Sequence, residues 1–497
     1  MKFGNLFCLN SSSRTLDIQE KAISDNESRK KSAYLRQFIS ILCGYVLMID
    51  VGVQVSWSSP ALDYLKDNRT ENYLTNEEGG FLTSLDAIAS IIGFLTYPLL
   101  MNRVGRRYTI FVYALIQLSA WIVLNLANSY LLLCIGRIIV GTGYGGSFGF
   151  LTIYIGEMTE RNVRGMFLSL DKICVNLGGF IVNAAGVFLS YRNMNMCMSV
   201  IPIIALGLFP LMLETPYFYL LKGQEKKAIE TQMLLSGEKY PQMVSDDIER
   251  MKKTIKECED SEKNVFHELF SDRGSRRGLI IKLITEFTYA FSGFLAIQSY
   301  VRQIFEKSGS TLEPGYCAMI VSGVQVIAGV PASQLVDRWG RRPVYLFSGF
   351  ASAINLSIIG GYFFFYNYMQ YDMSSVSWIP LVCMVLLQIV LNMGVSTMPY
   401  IYSGELFSVK VKGLACMLSS LCHSVFGFIC KFLLPVVVDS FGLYSAFWFF
   451  AIVCIVGPII VFNISPETKG KHLEEVLELL NESNKKHTVK ENSVSKL

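Results

Sequence analysis

Long apolar stretches alternate with short polar connections over most of the 497-residue chain. A helix that crosses a lipid bilayer needs about 20 mostly apolar residues. Stretches of that length occur twelve times, six before a long polar interval and six after it. The predicted spans lie near residues 38–59, 79–101, 108–128, 130–156, 166–190, 196–213, 279–303, 314–335, 343–366, 378–403, 414–438 and 443–463.

The polar segments between and around these stretches complete the predicted domain organisation. The tail before residue 36 is polar and rich in Ser and Lys, and it lacks the apolar core of a cleavable signal peptide. We therefore expect five parts: a disordered cytoplasmic tail (1–35), an N-terminal six-helix bundle (36–213), a cytoplasmic helical loop (214–278), a C-terminal six-helix bundle (279–463) and a second cytoplasmic tail (464–497).

Composition and charge agree with a membrane protein and predict its orientation. The chain is 52% hydrophobic and only 17% charged, which is unusual for a soluble protein. Only four of its 44 Lys and Arg residues lie in the loops on the side away from both tails. Because cytoplasmic loops concentrate Lys and Arg, both tails are predicted to be cytoplasmic. The net charge of +4 follows from this topology and does not predict binding to nucleic acid.

One short charged sequence occurs twice at equivalent places in the two halves. Residues 102–107 (N-R-V-G-R-R) separate the second and third predicted spans, and residues 337–342 (D-R-W-G-R-R) separate the eighth and ninth. The glycine permits a tight reversal, while the arginines hold the helix ends at the membrane surface. A duplicated bundle, with a seam where the two halves meet, is the architecture of an alternating-access carrier.

A second charged pair follows each of these loops. Glu157 precedes Arg164 by seven residues, and Glu405 precedes Lys412 by the same spacing. Seven residues are about two helical turns, so the members of each pair share a helix face. Each half is therefore predicted to present arginines, a carboxylate and another cation at its cytoplasmic rim.

These residues resemble the sugar-porter family of the major facilitator superfamily. The resemblance covers nearly all of residues 36–482, and it rests on both arginine loops and on Gly136-Arg137. It also rests on the Glu-Thr elements at Glu214 and Glu467. The stretch from Trp57 to Leu62 resembles the facilitated trehalose and glucose transporters. The resemblance implies an all-α membrane protein with the major facilitator fold: twelve transmembrane helices in two six-helix bundles related by pseudo-two-fold symmetry.

The resemblance also implies a cytoplasmic gate made of ion pairs across the seam. We expect the arginines of the first loop to reach Glu405, and those of the second loop to reach Glu157, when the cytoplasmic side is shut. Exposed ion pairs contribute about 0.2–1 kcal/mol each, which suits a gate that must reopen. The alternative is that the charges only enforce topology. The gate candidates are Arg106, Arg107, Glu157, Arg164, Arg341, Arg342, Glu405 and Lys412.

The expected substrate site departs from the family pattern. A site for a neutral polyol needs amides, hydroxyls and aromatic faces, which in the family come from helices 5, 7, 8, 10 and 11. Helix 5 has Lys172 where a Gln is usual, helix 7 lacks two Gln and an Asn, and helix 11 has His423 in place of Asn. These changes predict an altered substrate or lost transport. The candidate binding residues are Lys172, Tyr289, Gln325, Asn392, Tyr400 and His423.

Charged residues inside the predicted spans allow several interpretations. Asp50, Asp86, Asp171 and Lys172 lie in apolar stretches of the first half, where charges are usually paired or line a water-filled path. Lys172 could pair with Asp50 or Asp86, attract an anionic cargo, or reach outward to the membrane surface. His423 could titrate near neutral pH or serve as a packing residue. The resemblance implies that Arg137 pairs with a carboxylate of the first half.

Three functions remain open at this point. The first is a facilitator for a hexose or trehalose in the plasma membrane. It is favoured over a proton symporter because Gln54 stands where such symporters carry Asp. The second is a carrier for another polar or anionic solute that uses Lys172 and His423. The third is a sensor that does not transport.

The remaining patterns predict no catalytic chemistry. The chain has four histidines and no P-loop, G-x-S-x-G or metal-type cysteine spacing, so we expect neither an enzyme nor a metal or other cofactor. The expected partners are a small-molecule solute and the lipid bilayer, without an obligatory protein partner. Asn68 begins an N-glycosylation sequon on the predicted exterior.

Overall fold

The computed structural model describes residues 5–66, 74–238, 240–261, 265–471 and 473–482, and these residues form helices without any β-strand. Short 3-10 segments (Phe209–Leu211, Pro241–Val244, Ser374–Val376) and a π-helical segment (Phe364–Tyr368) supplement the α-helices. The α-helices are α1 (Asn5–Ser56), α2 (Ser58–Leu65), α3 (Asn76–Val104), α4 (Arg106–Leu126), α5 (Tyr130–Met158), α6 (Arg161–Phe188), α7 (Tyr191–Leu208), α8 (Pro216–Leu221), α9 (Glu225–Ser236), α10 (Ser245–Ser261), α11 (Val265–Ser271), α12 (Arg273–Phe291), α13 (Phe294–Glu306), α14 (Pro314–Trp339), α15 (Arg341–Phe363), α16 (Ile379–Met393), α17 (Met398–Glu405), α18 (Val409–Phe441), α19 (Leu443–Ile464) and α20 (Leu473–Glu482).

Twelve of the described segments account for the predicted membrane crossings. Eleven are long and apolar enough to cross a membrane, and the apolar helix Pro314–Gly329 within α14 supplies the other crossing. The first half consists of α1 to α7, in which α2 completes the first crossing. The second half consists of α12 to α19, in which α12 with α13, and α16 with α17, each make one crossing. The predicted all-α membrane fold is confirmed.

The first helix is longer than its apolar stretch. Helix α1 begins at Asn5, whereas the sequence leads us to expect disorder over residues 1–35. Neither Gly nor Pro occurs between residues 5 and 43, so no strong helix breaker interrupts the chain before it enters the membrane.

Two crossings of the second half are broken near their middle. Helix α12 ends at Phe291 and α13 begins at Phe294, and Gly293 between them has a φ of +84°. Helix α16 ends at Met393 and α17 begins at Met398. Irregular backbone at membrane depth is tolerated only where protein buries it or where it lines a cavity. Both breaks therefore mark places where the pathway is expected.

Glycines allow the helices of the first half to approach closely. A Cβ at Gly52 in α1 would lie 1.9 Å from the backbone oxygen of Val175 in α6, and one at Gly178 would lie 1.9 Å from that of Ile49. Small residues of this kind are typical of tight contacts between membrane helices. The first half is thus packed through backbone contacts and has little freedom to shear internally.

The two halves meet mainly along three helix pairs: α3 with α18, α6 with α14, and α2 with α13. We call this surface the seam. Both arginine-rich turns lie at one end of the bundle. Helices α3 and α18 run antiparallel, because Asn76 at the start of α3 donates to Asp439 near the end of α18. The first turn, at the end of α3, therefore lies on the same side as the start of α18 and the preceding Glu405, which binds Arg341 of the second turn. We call that end the arginine end, and the other, where α2 finishes, the opposite end.

Candidate functional site

The arginine end of the first half is organised around Glu214. This carboxylate accepts hydrogen bonds from the backbone N–H of Arg106 at 2.8 Å and of Arg107 at 3.1 Å, at the start of α4. Burial raises the pKa of the Glu214 carboxyl, and the backbone donors, including Thr215, oppose that rise. The Arg106 side chain then reaches Glu157 at the end of α5 through two hydrogen bonds of 2.8 and 2.7 Å.

The second half repeats this arrangement residue for residue. Glu467 accepts from the backbone N–H of Arg341 at 3.0 Å and of Arg342 at 3.1 Å. The Arg341 side chain binds Glu405 at 3.2 and 2.8 Å. The turns also match, because Gly105 and Gly340 have φ values of +99° and +96°. The duplication seen in the sequence is thus a duplication of geometry.

The last arginine of each turn lies against an aromatic ring. The Arg107 guanidinium is 4.7 Å from the ring centre of Phe209, and that of Arg342 is 4.4 Å from the ring centre of Phe462. Such cation–π contacts are attractive. Each arginine therefore attaches its turn to the last crossing of its own half.

Arg164 and Lys412 also occupy matching positions. Arg164 donates to the backbone oxygen of Thr159 at 3.2 Å, and Lys412 donates to that of Gly404 at 3.4 Å. Each cation belongs to the following helix and lies beside the C-terminal end of the preceding one, where the helix dipole favours positive charge. The predicted helix face shared with Glu157 or Glu405 is therefore wrong, because the two members of each pair lie on different helices.

The structure pairs Arg106 and Arg341 with carboxylates of their own halves, and the ion pairs expected when the cytoplasmic side is shut stay a prediction. Arg106 pairs with Glu157 rather than Glu405, and Arg341 pairs with Glu405 rather than Glu157. The reason is proximity within each half, since α4 packs directly on α5 and Glu214 fixes the start of α4. Sequence spacing shows that these groups share one end of the bundle, but it cannot show which carboxylate lies nearest.

Lys172 lies at the seam near the middle of α6. Its ammonium donates to the hydroxyls of Ser396 at 3.1 Å and Thr397 at 2.9 Å, in the break between α16 and α17. The expected pairing of Lys172 with Asp50 or Asp86 is therefore wrong. The side chain points across the seam, whereas both carboxylates are engaged elsewhere.

Two amide contacts continue along the same face of α6. Asn176 donates to the backbone oxygen of Gln325 at 3.2 Å, and the Gln325 amide donates to Asn176 at 3.3 Å. Two turns further on, Asn183 donates to the Ser322 hydroxyl at 2.9 Å. All four side chains are buried. The sequence drew attention to Gln325 but not to Asn176, although Asn176 is one helical turn from Lys172.

Asn392 and Tyr400 flank the break opposite Lys172. The buried Asn392 accepts at its side-chain oxygen from Ser396 at 3.4 Å and at its backbone oxygen from Thr397 at 2.7 Å. Tyr400 is exposed, and its ring lies 5.7 Å from that of Phe148 in the first half. The structure thus groups Lys172 and Asn392 around the break, with Tyr400 one turn away.

Tyr289 and His423 lie together inside the second half, and the Tyr289 side chain also contacts Tyr400. The rings of Tyr289 and His423 stack with centroids 5.3 Å apart, and His423 Nδ1 lies 3.0 Å from Glu286. Glu286 also pairs with Lys282, and both members of that pair are buried. The sequence reasoning missed Lys282 and Glu286, although their i, i+4 spacing inside an apolar stretch marks a buried ion pair.

Asp86 joins the two halves through a buried set of charges. Arg137 of α5 approaches Asp86 at 3.1 Å, and Lys431 of α18 approaches it at 2.9 Å. The implied pairing of Arg137 with a carboxylate of the first half is therefore confirmed. Lys431 was missed, although a lysine within the apolar stretch 414–438 is itself a sign of a buried partner.

Asp50 occupies a different environment. It accepts from the indole N–H of Trp121 at 2.8 Å and from the Gln54 amide at 2.6 Å. Both donors are neutral and belong to the first half, so Asp50 does not contribute to contacts across the seam.

Polar contacts join the halves at the opposite end. Arg302 of α13 forms an ion pair with Asp63 of α2. Gln303 donates to Asp63 at 2.7 Å and to the backbone oxygen of Ser59 at 2.9 Å. Asn68, the glycosylation candidate, lies outside the described residues.

Comparison with known proteins agrees with this architecture. Residues 36–480 match the model of the family described as sugar (and other) transporters. The chain is 30% identical over 454 residues to the facilitated trehalose transporter Tret1 of Apis mellifera ligustica, covering 90% of this chain and 89% of that protein. It is 29% identical over 434 residues to Tret1 of Culex quinquefasciatus, covering 86% and 82% respectively.

Solved structures show the same fold at lower identity. The xylose transporter XylE from E. coli in an inward-open conformation superposes with a TM-score of 0.72 at 19% identity, covering 90% of this chain and 99% of that chain. A partially occluded inward-open conformation of XylE gives a TM-score of 0.71 at 17% identity, covering 87% and 100%. The duplicated arginine turns, the twelve crossings and the family match lead to one conclusion. The chain belongs to the family of sugar (and other) transporters and is a multi-pass membrane transporter.

Proposed function

We propose that the protein carries a sugar, either a hexose or the disaccharide trehalose, across the plasma membrane by facilitated diffusion. The names of the relatives support a sugar as cargo. The observation that supports the proposal most directly is the seam. There the ammonium and the amides of α6 bond to hydroxyls of the α16–α17 break and to polar groups of α14. These are the groups that a polyol needs as partners, and they become available when the halves separate.

Alternating access requires that one end of the seam opens while the other stays closed. At the opposite end, Arg302 with Asp63 and Gln303 with Ser59 join the halves. At the arginine end, Arg106 and Arg341 bind carboxylates of their own halves. This asymmetry supports a carrier whose arginine end opens first. The excess of Lys and Arg at that end supports a cytoplasmic location for it and for both tails.

The side chains near Asp50 support facilitated diffusion rather than proton symport. Gln54, which stands where proton-coupled sugar porters carry Asp, donates to Asp50 and cannot itself exchange a proton. Sugar flux should then follow the sugar gradient alone.

Uptake by the purified full-length protein in liposomes tests the proposal. We expect saturable uptake of radiolabelled D-glucose or trehalose, acceleration by unlabelled sugar trapped inside, and the same final level with or without a pH gradient. Absence of flux for every sugar on a hexose and disaccharide panel would contradict it. Accumulation driven by a pH gradient would replace the facilitator with a symporter.

Removing the Asp63–Arg302 pair should favour opening at the opposite end. The two side chains are 27% and 19% exposed, so the pair contributes about 1 kcal/mol, and Arg302→Ala should raise the ratio of open to closed molecules about fivefold. The measurement is the rate at which an impermeant maleimide labels a cysteine placed at the buried Ser322, in a cysteine-depleted background. Lys252→Ala breaks the exposed Lys252–Glu225 pair outside the membrane and should leave the rate unchanged. Equal labelling of parent and Arg302→Ala would show that this pair does not hold the end shut.

A further inference from the structure

Three lysines lie inside the membrane crossings, and only one of them has no carboxylate partner among the residues that the structure describes. Lys282 pairs with Glu286, and Lys431 pairs with Asp86. Lys172 has two hydroxyl partners instead, Ser396 and Thr397. An ammonium in the hydrocarbon region is costly unless it is paired or serves function, and two hydroxyls offset that cost less well than a carboxylate does.

The position of Lys172 determines which chemical group could pair with its ammonium during transport. Its side chain crosses the seam and ends at the break between α16 and α17, where the backbone is irregular and the residues come from the opposite half. When the halves separate, the ammonium loses both hydroxyls and faces the opened space. A negatively charged group on the cargo is the partner that then compensates it.

The neighbouring groups are suited to the rest of such a cargo. Asn176, one helical turn from Lys172, exchanges hydrogen bonds with Gln325 across the seam. Separation of the halves frees these amides together with the hydroxyls of Ser396 and Thr397. One ammonium surrounded by two amides and two hydroxyls matches a polyol that carries a single acidic group.

We propose that Lys172 binds the carboxylate of an acidic sugar, so that the carrier accepts a hexose-sized polyol with one carboxylate in addition to neutral sugars. This inference rests on the proposed transport of sugars and names a further substrate class for the same site. A phosphate monoester fits less well, because it carries a charge of about −1.5 to −2 at pH 7. The described seam offers one uncompensated ammonium.

Transport of D-glucuronate and D-glucose by the full-length protein in liposomes tests this assignment. Wild type should move both. Lys172→Gln should lower kcat/KM for glucuronate at least tenfold more than it lowers kcat/KM for glucose, while Lys172→Arg should retain most glucuronate transport. Lys252→Gln, which removes a positive charge far from the seam, is the matched control and should behave as wild type. Thermal melting of each variant reports folding independently.

A membrane potential gives a second readout that a structural role of Lys172 would not produce. A facilitator that moves one negative charge should accumulate glucuronate about tenfold at about 60 mV, inside positive. Glucose should not accumulate.

The transport results test this inference and the proposed function separately. Flux of glucose or trehalose without flux of glucuronate would overturn the inference and leave the proposed function standing. Equal loss of both fluxes in a folded Lys172→Gln protein would show that Lys172 only closes the seam, and would also overturn it. Absence of flux for neutral and acidic sugars alike would overturn both.

Discussion

Asp86→Ala should cost about 3–5 kcal/mol of stability, because it removes the only carboxylate of a buried three-charge set and leaves two cations without it. The side chains of Asp86, Arg137 and Lys431 are at most 3% exposed. Arg137 would keep its carbonyl partners, such as the backbone oxygen of Gln54 at 3.0 Å. These neutral groups do not compensate a guanidinium charge as a carboxylate does.

The measurement is unfolding of the purified protein in detergent micelles. Asp86→Ala should show a large fall in melting temperature and in the yield of folded protein. Asp86→Asn keeps an acceptor of the same shape and should fall less. A melting temperature of Asp86→Ala equal to that of wild type would show that Arg137 and Lys431 find other partners.

Lys431→Met tests separately the ion pair of this three-charge set that crosses the seam. It removes the cation from the second half but leaves the Arg137–Asp86 pair of the first half intact. We therefore expect a smaller loss of stability than for Asp86→Ala. The two halves would at the same time lose a buried contact, so the change should affect the rate of exchange between conformations as well.

The sequence was sufficient for the fold because the signals that determine it are local. Each crossing is a long stretch of mostly apolar residues, and the Gly-Arg-Arg turns mark the same end of both halves. The pseudo-symmetry of Glu214 and Glu467 follows from the same repeat.

The site was harder to predict because its contacts join residues far apart in the chain. Lys172 meets Thr397, and Asp86 meets Lys431, only after two six-helix halves have packed against each other. Periodicity places Lys172 on one face of α6 but does not say which helix that face meets. Lys282 and Lys431 were overlooked because a single charge barely changes the mean hydropathy of a long apolar stretch.

The pairing of the arginines raises a wider point about the gate. Arg106 is only 5% exposed and binds Glu157 through two hydrogen bonds, which is a stronger contact than the exposed pair expected from the sequence. An arginine that must change partner in every cycle would have to break this contact first. The geometry is better suited to holding α4 against α5 while each half moves as a unit.

Double-mutant cycles should therefore show that Arg106 is coupled energetically to Glu157 of its own half and not to Glu405 of the other half. For Arg106→Ala with Glu157→Ala, the coupling free energy of unfolding should be about 2 kcal/mol, since hydrogen bonds between charged groups contribute about 1.5–3 kcal/mol. For Arg106→Ala with Glu405→Ala, the two effects should add within about 0.5 kcal/mol. The first cycle measures a contact that is present, and the second measures the contact that a gate across the seam would need.

The same cycles performed on transport rates decide whether a partner exchange occurs during the cycle. Coupling between Arg106 and Glu405 in the rate but not in stability would mean that the pair forms transiently when the arginine end closes. Coupling between them in stability would contradict the arrangement described here. Additivity in both stability and transport rate would exclude a gate made by Arg106 and Glu405, and the closing of the arginine end would then depend on other contacts across the seam, such as that of Phe148 with Tyr400.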